Sequence, residues 1–312
     1  MLIALVLALA QAGAPDSGSF MLRGGTIHTI SGPVIENGSV LVRDGRIIGV
    51  GRNLTAPEGT QVIDVQGEQV YPGMIDSAAH AGAGSDKEAA LTNGVTRSME
   101  MAAGDLPTTD PDGSVHLKFP AIETAPVPPH EVEDDEEPTT AIAPRLIPYS
   151  QAKKVFDAKM AALNRYFEDA RRHRPPAMIA VLDAQAPMFV TAVREREIRN
   201  AIAFADKQKI KIVLCDPYEA YKVLALIKSH DISVVLGPTL SLPINRDDPY
   251  DRSYTTPNEL FRAGVRFSIG TFSDHSSRNL PYQAAAAVPF GLPHDEAYKT
   301  ISLNAAEIFG LG

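Results

Sequence analysis

Residues 20–70 alternate apolar and polar positions in short runs that are separated by turn residues. The runs FMLRGGTIHTI, GSVLVRDGRIIGVG and QVIDVQGEQV have the two-residue period of strands with one buried face. Asp44-Gly45 stands between two alternating runs and is a hairpin signal. The pattern therefore predicts a small β unit over residues 20–70.

From residue 70 onward, apolar runs alternate with amphipathic stretches. The runs that predict strands are QVYPGMID, VTRSMEMA, SVHLKF, PMFVTA, KIVLCD, SVVLGP and VRFSIGTF. Several of these runs are almost continuously apolar, as parallel strands are when both faces of their sheet are covered. The succession predicts an α/β architecture over residues 71–312, most simply a (β/α)8 TIM-type barrel that lacks one strand.

The stretches between the later strands have the apolar stripes of helices. REREIRNAIAFADKQ and YEAYKVLALIKSH each have such a stripe at helical spacing. An earlier helix is predicted by four apolar residues at the spacing of a core face, Phe156, Met160, Leu163 and Phe167. Thr256-Pro257 predicts a helix start, with threonine as the cap and proline at the first position.

Charge and cysteine content exclude some functions. The net charge is −9, and no basic stripe supports nucleic-acid binding. Cys215 is the one cysteine, so no internal disulfide can form. The acidic run Glu131–Glu137 lies in a Pro- and Thr-rich region and predicts a solvated loop.

Residues 2–10 form an uncharged apolar run that is too short to span a bilayer. Ala10 and Ala12 follow it at the spacing that a signal peptidase reads. We expect a signal peptide over residues 1–19, with export to the periplasm or the extracellular space and no membrane span in the mature protein. The alternative is a buried N-terminal helix.

Several separated stretches resemble one family. GGTIHTISGPVIENGSVLVRDGRIIGVG and VIDVQGEQVYPGMID look like the opening of the amidohydrolase superfamily, in particular its imidazolonepropionase-like branch. LTNGVTRSMEMA resembles the second barrel strand of that family. Its second half is matched by REREIRNAIAFADKQKIKIVL, EAYKVLALIKSHDISVVLGP and RNLPYQAAAAVPFGLPHDEAYKTISLNAAEIFGL.

The resemblance implies a (β/α)8 barrel with a small β-sandwich. It also implies one or two divalent metals, commonly zinc, at the C-terminal ends of the strands, where a metal-bound water attacks a C–N bond. Zinc needs three or four N, O or S ligands at about 2.0–2.3 Å, and it lowers the pKa of its water to about 7. Two histidines two residues apart on a strand point to the same face and supply two such ligands.

This chain departs from that pattern at several positions. The family's first strand would place ligands at 78 and 80, where this chain has Ala78 and His80. The next expected pair falls on Thr191 and Val193, and neither is a good zinc ligand. His80 is therefore either a metal ligand or a hydrogen-bonded histidine at a strand end.

Three positions remain as candidates after these losses. Asp216 ends the KIVLCD run next to Cys215, and only one of these neighbours can face the barrel mouth. Asp274 follows the last strand, where the family has its general base and metal ligand; its alternative role is to cap a turn. The predicted site is thus Asp274 as the catalytic residue, with His80, Asp216 and Asp274 as metal ligands. His275 is a weaker candidate for a substrate contact.

The sequence favours an exported amidohydrolase-family protein that has no cofactor or a weakly held divalent metal, zinc by preference. It would bind a small molecule or act as a non-catalytic partner of an active relative. The alternative is a working hydrolase with a reduced mononuclear site. In a third reading, the N-terminal strands present unpaired edges because the chain stops at Gly312, and they pair with another chain or form a homo-oligomer.

Overall fold

The computed structural model describes residues 19–79, 94–100, 104–110, 112–124, 147–273 and 276–311. Its strands are β1 (Ser19–Ile27), β2 (Ile35–Arg43), β3 (Arg46–Gly51), β4 (Gln61–Asp64), β5 (Gln69–Val70), β6 (Met74–Ala79), β7 (Val95–Glu100), β8 (Thr108–Thr109), β9 (Val115–Lys118), β10 (Met188–Thr191), β11 (Ile212–Cys215), β12 (Ser233–Leu236) and β13 (Phe267–Ile269). Its helices are α1 (Tyr149–His173), α2 (Pro176–Leu182), α3 (Glu195–Gln208), α4 (Leu224–Ser229), α5 (Arg252–Arg262), α6 (Leu280–Ala286), α7 (His294–Thr300) and α8 (Leu303–Ile308). Short 3-10 turns cover Tyr218–Lys222, Ser277–Asn279 and Val288–Phe290.

The predicted N-terminal β unit is a five-stranded sheet. Its order is β3-β2-β1-β4, and β5 also pairs with β1. The predicted hairpin is confirmed, because Asp44 and Gly45 both have positive φ angles, 50° and 71°, between β2 and β3. Leu22, Val40 and Ile63 form the centre of a separate apolar cluster on this sheet.

The second part of the chain is an α/β unit with mostly parallel strands. One sheet has the order β13-β12-β11-β10-β9-β8, and all its pairs are parallel except the short pair β8–β9. β6 and β7 form a separate parallel pair. All seven predicted strands of this unit are present, although no backbone ladder joins β6 to β13 within the described residues.

Each parallel strand sends alternate side chains to two different cores. Val190, Leu214 and Val234 pack with the surrounding helices. Their neighbours point to the opposite face and form what we call the inner cluster, which contains Ala78, Phe189, Val213, Cys215, Val235 and Ile308, with Phe272 and Phe309 packed against it. This alternation is what strands covered on both sides require.

The predicted helices are confirmed with two differences. α1 buries Leu163 and Phe167 completely, and α3 has the predicted bounds to within one residue. The predicted helix over residues 218–230 is interrupted: a 3-10 turn and the short helix α4 meet at Val223, which has a non-helical φ of −133°.

The predicted helix start at Thr256-Pro257 is wrong. α5 begins at Arg252 and contains Pro257. Pro257 has no N–H to donate within the helix. The hydroxyls of Thr255 and Thr256 donate backward to the carbonyl of Arg252, at 3.2 Å and 2.8 Å, so Thr256 does not cap a helix start.

None of the helices within the described ranges is long and apolar enough to cross a membrane. The predicted signal peptide and the acidic run Glu131–Glu137 lie outside those ranges. The division into units at residues 19, 70 and 312 stays a prediction.

Candidate active site

The predicted site lies at the C-terminal ends of the parallel strands, and only part of it falls on described residues. His80, Asp274 and His275 lie outside the described residues. Asp216, Ala78, Thr191 and Cys215 are described. Described residues therefore frame the predicted site at the ends of β6 and β13.

Ala78 is completely buried at the end of β6, and its surroundings are tightly packed. A Cβ on Gly270, just after β13, would lie 2.7 Å from both the Cβ and the backbone nitrogen of Ala78. Contacts this short do not occur between real carbon atoms, so the two strand ends approach closely only because residue 270 is a glycine. At the position where the resemblance led us to expect a metal ligand, the side chain is a methyl group in a close contact.

The inner cluster makes the environment beside Ala78 apolar. Cys215 belongs to this cluster and is completely buried. Burial raises the pKa of the Cys215 thiol far above its ordinary value, so the thiol stays protonated and is a poor metal ligand. Phe272 also packs against the cluster, in the left-handed backbone region with a φ of 51°.

Asp216 leaves β11 in a different direction from Cys215. Its backbone is in the left-handed region, with a φ of 50°. A Cβ on Gly237 would lie 2.1 Å from Asp216 Oδ1, so the carboxylate lies over the Gly237 backbone. Together with Ser253 and Thr256 of α5, Asp216 lines a small cavity of about 20 Å³. Asp216 thus lies near α5.

Asp76 is the most deeply buried carboxylate near the predicted site, with 0% exposure. Thr271 donates to it twice, through its N–H at 2.9 Å and its Oγ1 at 2.6 Å. Ser277 Oγ donates at 2.8 Å and the Ala78 N–H at 3.3 Å. Burial raises the pKa of Asp76, and these bonds partly offset that rise. The carboxylate joins the first strand of the α/β unit to the segment after the last one.

Two further contacts complete this junction between β6 and β13. The Phe272 N–H donates to the Ala78 carbonyl at 2.6 Å. Ser273 Oγ donates to Ser276 Oγ at 3.1 Å, next to the two undescribed residues. We call this set of contacts around Asp76, Ala78 and Thr271 the β6–β13 seam.

A second polar group lies beyond β10 and β11. Glu219 is 7% exposed, and its Oε1 accepts from Lys222 Nζ at 2.8 Å and from Asn245 Nδ2 at 3.1 Å. Glu219 Oε2 accepts from the Glu195 N–H at 2.8 Å. Burial by itself would raise the pKa of Glu219, but these hydrogen bonds and the Lys222 charge bring it below its ordinary value.

A large pocket lined by described residues lies next to Glu219. Its volume is about 660 Å³, and its walls come from the chain after β9, from α1 and from the start of α3. Ligands of α/β barrels bind at this C-terminal edge of the strands.

The described residues do not form a metal site by themselves. No group of three or more His, Cys, Asp or Glu side chains within the described ranges is arranged to hold a metal. Asp216 faces α5, Cys215 is a buried thiol, and Ala78 and Thr191 carry no strong ligand atom. Among these described positions, only Asp216 carries a side chain that commonly binds zinc.

Sequence reasoning missed the polar group around Glu219. The only signal was a glutamate four residues after an apolar strand, in the stretch Cys215–Glu219, which is a common arrangement in loops. Asn245 and Arg194 gave no signal, because their partners are distant in sequence.

Short stretches of the chain are similar to a dihydroorotase and an allantoinase. A dihydroorotase from Citrifermentans bemidjiense is 39% identical over 62 residues, which is 20% of this chain and 15% of that protein. An allantoinase from Escherichia coli O1:K1 is 32% identical over 108 residues, which is 28% of this chain and 23% of that protein. These matches thus span less than a quarter of either relative. No protein-family model matches the chain.

The structural match is more extensive. An amidohydrolase from Thermotoga maritima MSB8 superposes with a TM-score of 0.66 at 20% sequence identity, covering 94% of this chain and 89% of the other. At this level of identity the likeness concerns the fold, and it implies a TIM-barrel fold for the α/β unit.

Proposed function

We propose that this chain is a member of the amidohydrolase superfamily, that it descends from a metal-dependent hydrolase of C–N bonds, and that it now holds metal weakly or not at all. Its role is then to bind a small molecule, or to act as the non-catalytic partner of an active relative. The relatives and structural neighbours are amidohydrolase-like hydrolases, and the proposal concerns what this chain has kept of their chemistry.

The observation that carries this proposal is the contact between Ala78 and Gly270. The missing Cβ of Gly270 would overlap Ala78, so the ends of β6 and β13 are packed against each other at the position of an expected ligand. Cys215 and Phe272 extend the apolar surroundings. A divalent cation needs several N, O or S ligands within about 2.0–2.3 Å, and an apolar close contact supplies none.

Metal analysis of the purified protein tests the proposal. The protein is loaded with zinc or manganese, dialysed against metal-free buffer, and analysed by plasma mass spectrometry. We expect far less than one metal per chain. One tightly held metal per chain would overturn the proposal.

The alternative function is a working hydrolase with a reduced mononuclear site, and the names of the relatives favour it. In that case Asp274 is the general base, His80 a ligand or electrophile, and Asp216 a second ligand. Asp274→Asn and His80→Ala are expected to abolish turnover of amides, lactams or dipeptides by an active preparation. Unchanged activity in both variants would exclude this alternative.

The remaining parts of the proposal concern architecture and location. We propose that the five-stranded sheet is one part of a β-sandwich beside a (β/α)8 barrel, and that residues 1–19 direct export to the periplasm or the extracellular space. We further propose that the chain forms a homo-oligomer or pairs with an active relative. Light scattering at high concentration tests the last point, because a clean monomer would contradict self-association.

A further inference from the structure

Arg194 and Glu219 carry opposite charges that Asn245 holds apart. Arg194 Nη1 donates to Asn245 Oδ1 at 2.9 Å, and Asn245 Nδ2 donates to Glu219 Oε1 at 3.1 Å. The guanidinium and the carboxylate are thus separated by the width of one amide group. The loop after β12 supplies the asparagine, while Arg194 and Glu219 follow β10 and β11.

Both charged groups have hydrogen-bonding capacity beyond these contacts. A carboxylate offers about four acceptor positions, and Lys222, Asn245 and the Glu195 N–H use three of those on Glu219. A guanidinium has five N–H donors in a planar fork, of which the contact with Asn245 uses one. The described residues thus leave one acceptor on Glu219 Oε2 and several donors on Arg194 for a ligand.

The 660 Å³ pocket contains both groups and also has an apolar side. Pro120, Ile122 and Phe156 supply this apolar part of the lining, and the exposed residue Arg196 also lines the pocket. The helix end itself is not the binding element: Glu197 Oε2 accepts from Val193 N–H, and Glu219 accepts from Glu195 N–H, so these donors at the start of α3 are occupied.

We propose that this pocket binds a small zwitterion with an apolar side chain, in particular a free α-amino acid. The ammonium group of an α-amino acid is separated from its carboxylate by a single carbon, which suits two opposite charges held one amide apart. The ammonium donates to Glu219 Oε2, the carboxylate accepts from Arg194, and the side chain lies on Phe156 and Ile122.

This inference deepens the proposed small-molecule role, but it does not depend on the absence of metal. Neither Arg194 nor Glu219 is one of the predicted metal ligands His80, Asp216 and Asp274, so metal analysis and amino-acid binding can fail separately. A metal-loaded protein that still binds the amino acid here would refute the proposed function and leave this inference standing.

The test titrates the full-length protein with L-leucine by isothermal calorimetry. N-acetyl-L-leucine, which lacks the ammonium, and L-leucinamide, which lacks the carboxylate, are the matched probes. We expect L-leucine to bind in the millimolar range or tighter, and each analogue to bind at least about tenfold more weakly, because each lacks one of the two charged groups that Glu219 and Arg194 would bind. No binding of L-leucine, or equal binding of either analogue, would overturn the proposal.

Variants assign the binding to this pocket. Arg194→Gln and Phe156→Ala are each expected to weaken L-leucine binding at least about tenfold. Arg172→Gln, which makes the same charge change on an exposed part of α1, is expected to leave it unchanged. Circular dichroism checks that each variant is folded. If Arg194→Gln does not fold, the binding of L-leucine to Phe156→Ala decides whether this pocket is the site. L-leucine binding that survives Phe156→Ala unchanged would overturn the assignment.

Discussion

Asp76 and Glu219 are two buried carboxylates at the same end of the parallel strands, yet they have opposite electrostatic surroundings. Within the described ranges, Asp76 accepts only from neutral N–H and O–H donors, and burial raises its pKa. Glu219 accepts from the Lys222 ammonium as well, and its pKa is lowered. Donors from the described part of the chain fill the four acceptor positions of Asp76, whereas they leave one on Glu219. Burial alone therefore does not mark a binding group; the unused acceptor does.

The largest effect is expected from removing the Asp76 carboxylate. Asp76→Ala leaves the Thr271 N–H and the Thr271 and Ser277 hydroxyls without their partner inside the seam. Unsatisfied buried donors of this kind lower the free energy of unfolding by about 3 kcal/mol in total. Urea unfolding followed by circular dichroism measures the loss.

Asp157→Ala is the control for that measurement. Asp157 pairs with Lys153 on the surface, and its side chain is 54% exposed. Its removal is expected to change stability little. Equal losses in the two variants would mean that the seam contributes nothing specific.

The next prediction compares the stability cost of substituting two glycines at the ends of neighbouring strands. Gly270→Ala forces a methyl group against the Cβ and backbone nitrogen of Ala78, so the strands must move apart. We expect a loss of about 2 kcal/mol in the free energy of unfolding. Gly237→Ala meets the end of the Asp216 side chain, which can rotate away, and is expected to cost less. Thermal unfolding of both variants ranks them, and the reverse order would contradict the described packing.

A smaller effect is expected from Glu219→Gln. The amide keeps the shape of the side chain, but it turns one acceptor into a donor that faces either the Glu195 N–H or Lys222 and Asn245. We expect a loss of about 1 kcal/mol in the free energy of unfolding, measured by urea titration. A variant as stable as the parent would show that the network contributes nothing net to folding.

The smallest effect is a change in pH dependence, and its sign differs between the two carboxylates. The pKa of Glu219 is lowered, so its contribution is present above its unfolded pKa and is lost as the pH falls through its folded pKa. The pKa of Asp76 is raised, so the folded protein takes up this proton first and gains stability as the pH falls.

Urea midpoints between about pH 7 and pH 3 measure this difference. Glu219→Gln is expected to make the acid loss of stability shallower, and Asp76→Asn to make it steeper. Identical slopes in the two variants would contradict the opposite pKa directions.

The fold was more predictable from the sequence than the site was. Strands such as β10 and β11 are nearly continuous apolar runs between amphipathic helices, and that periodicity is local, so it can be read from the chain. The predicted helix start at Thr256 was wrong. A Thr-Pro pair can also lie inside a helix when the threonine hydroxyl donates to a carbonyl one turn earlier.

The site could be predicted only where single positions carry its chemistry. Ala78 and Thr191 predict missing ligands from sequence alone, and that loss stays a prediction. The direction of Asp216 depends on a left-handed φ of 50°, which an aspartate at the end of a strand does not reveal. Asn245 lies 51 positions from Arg194 and 26 positions from Glu219 in the sequence, so no short motif contains this bridge.

The β6–β13 seam also sets an order of events in folding. Thr271 and Ser277 are 195 and 201 residues from Asp76, so their hydrogen bonds close almost the whole of the α/β unit. Contacts this distant in sequence form late, because the intervening chain must be ordered before they are gained. β6 and β7 would then join a sheet that is already assembled, and in native-state hydrogen exchange the Thr271 amide would exchange before the amides between β10 and β11.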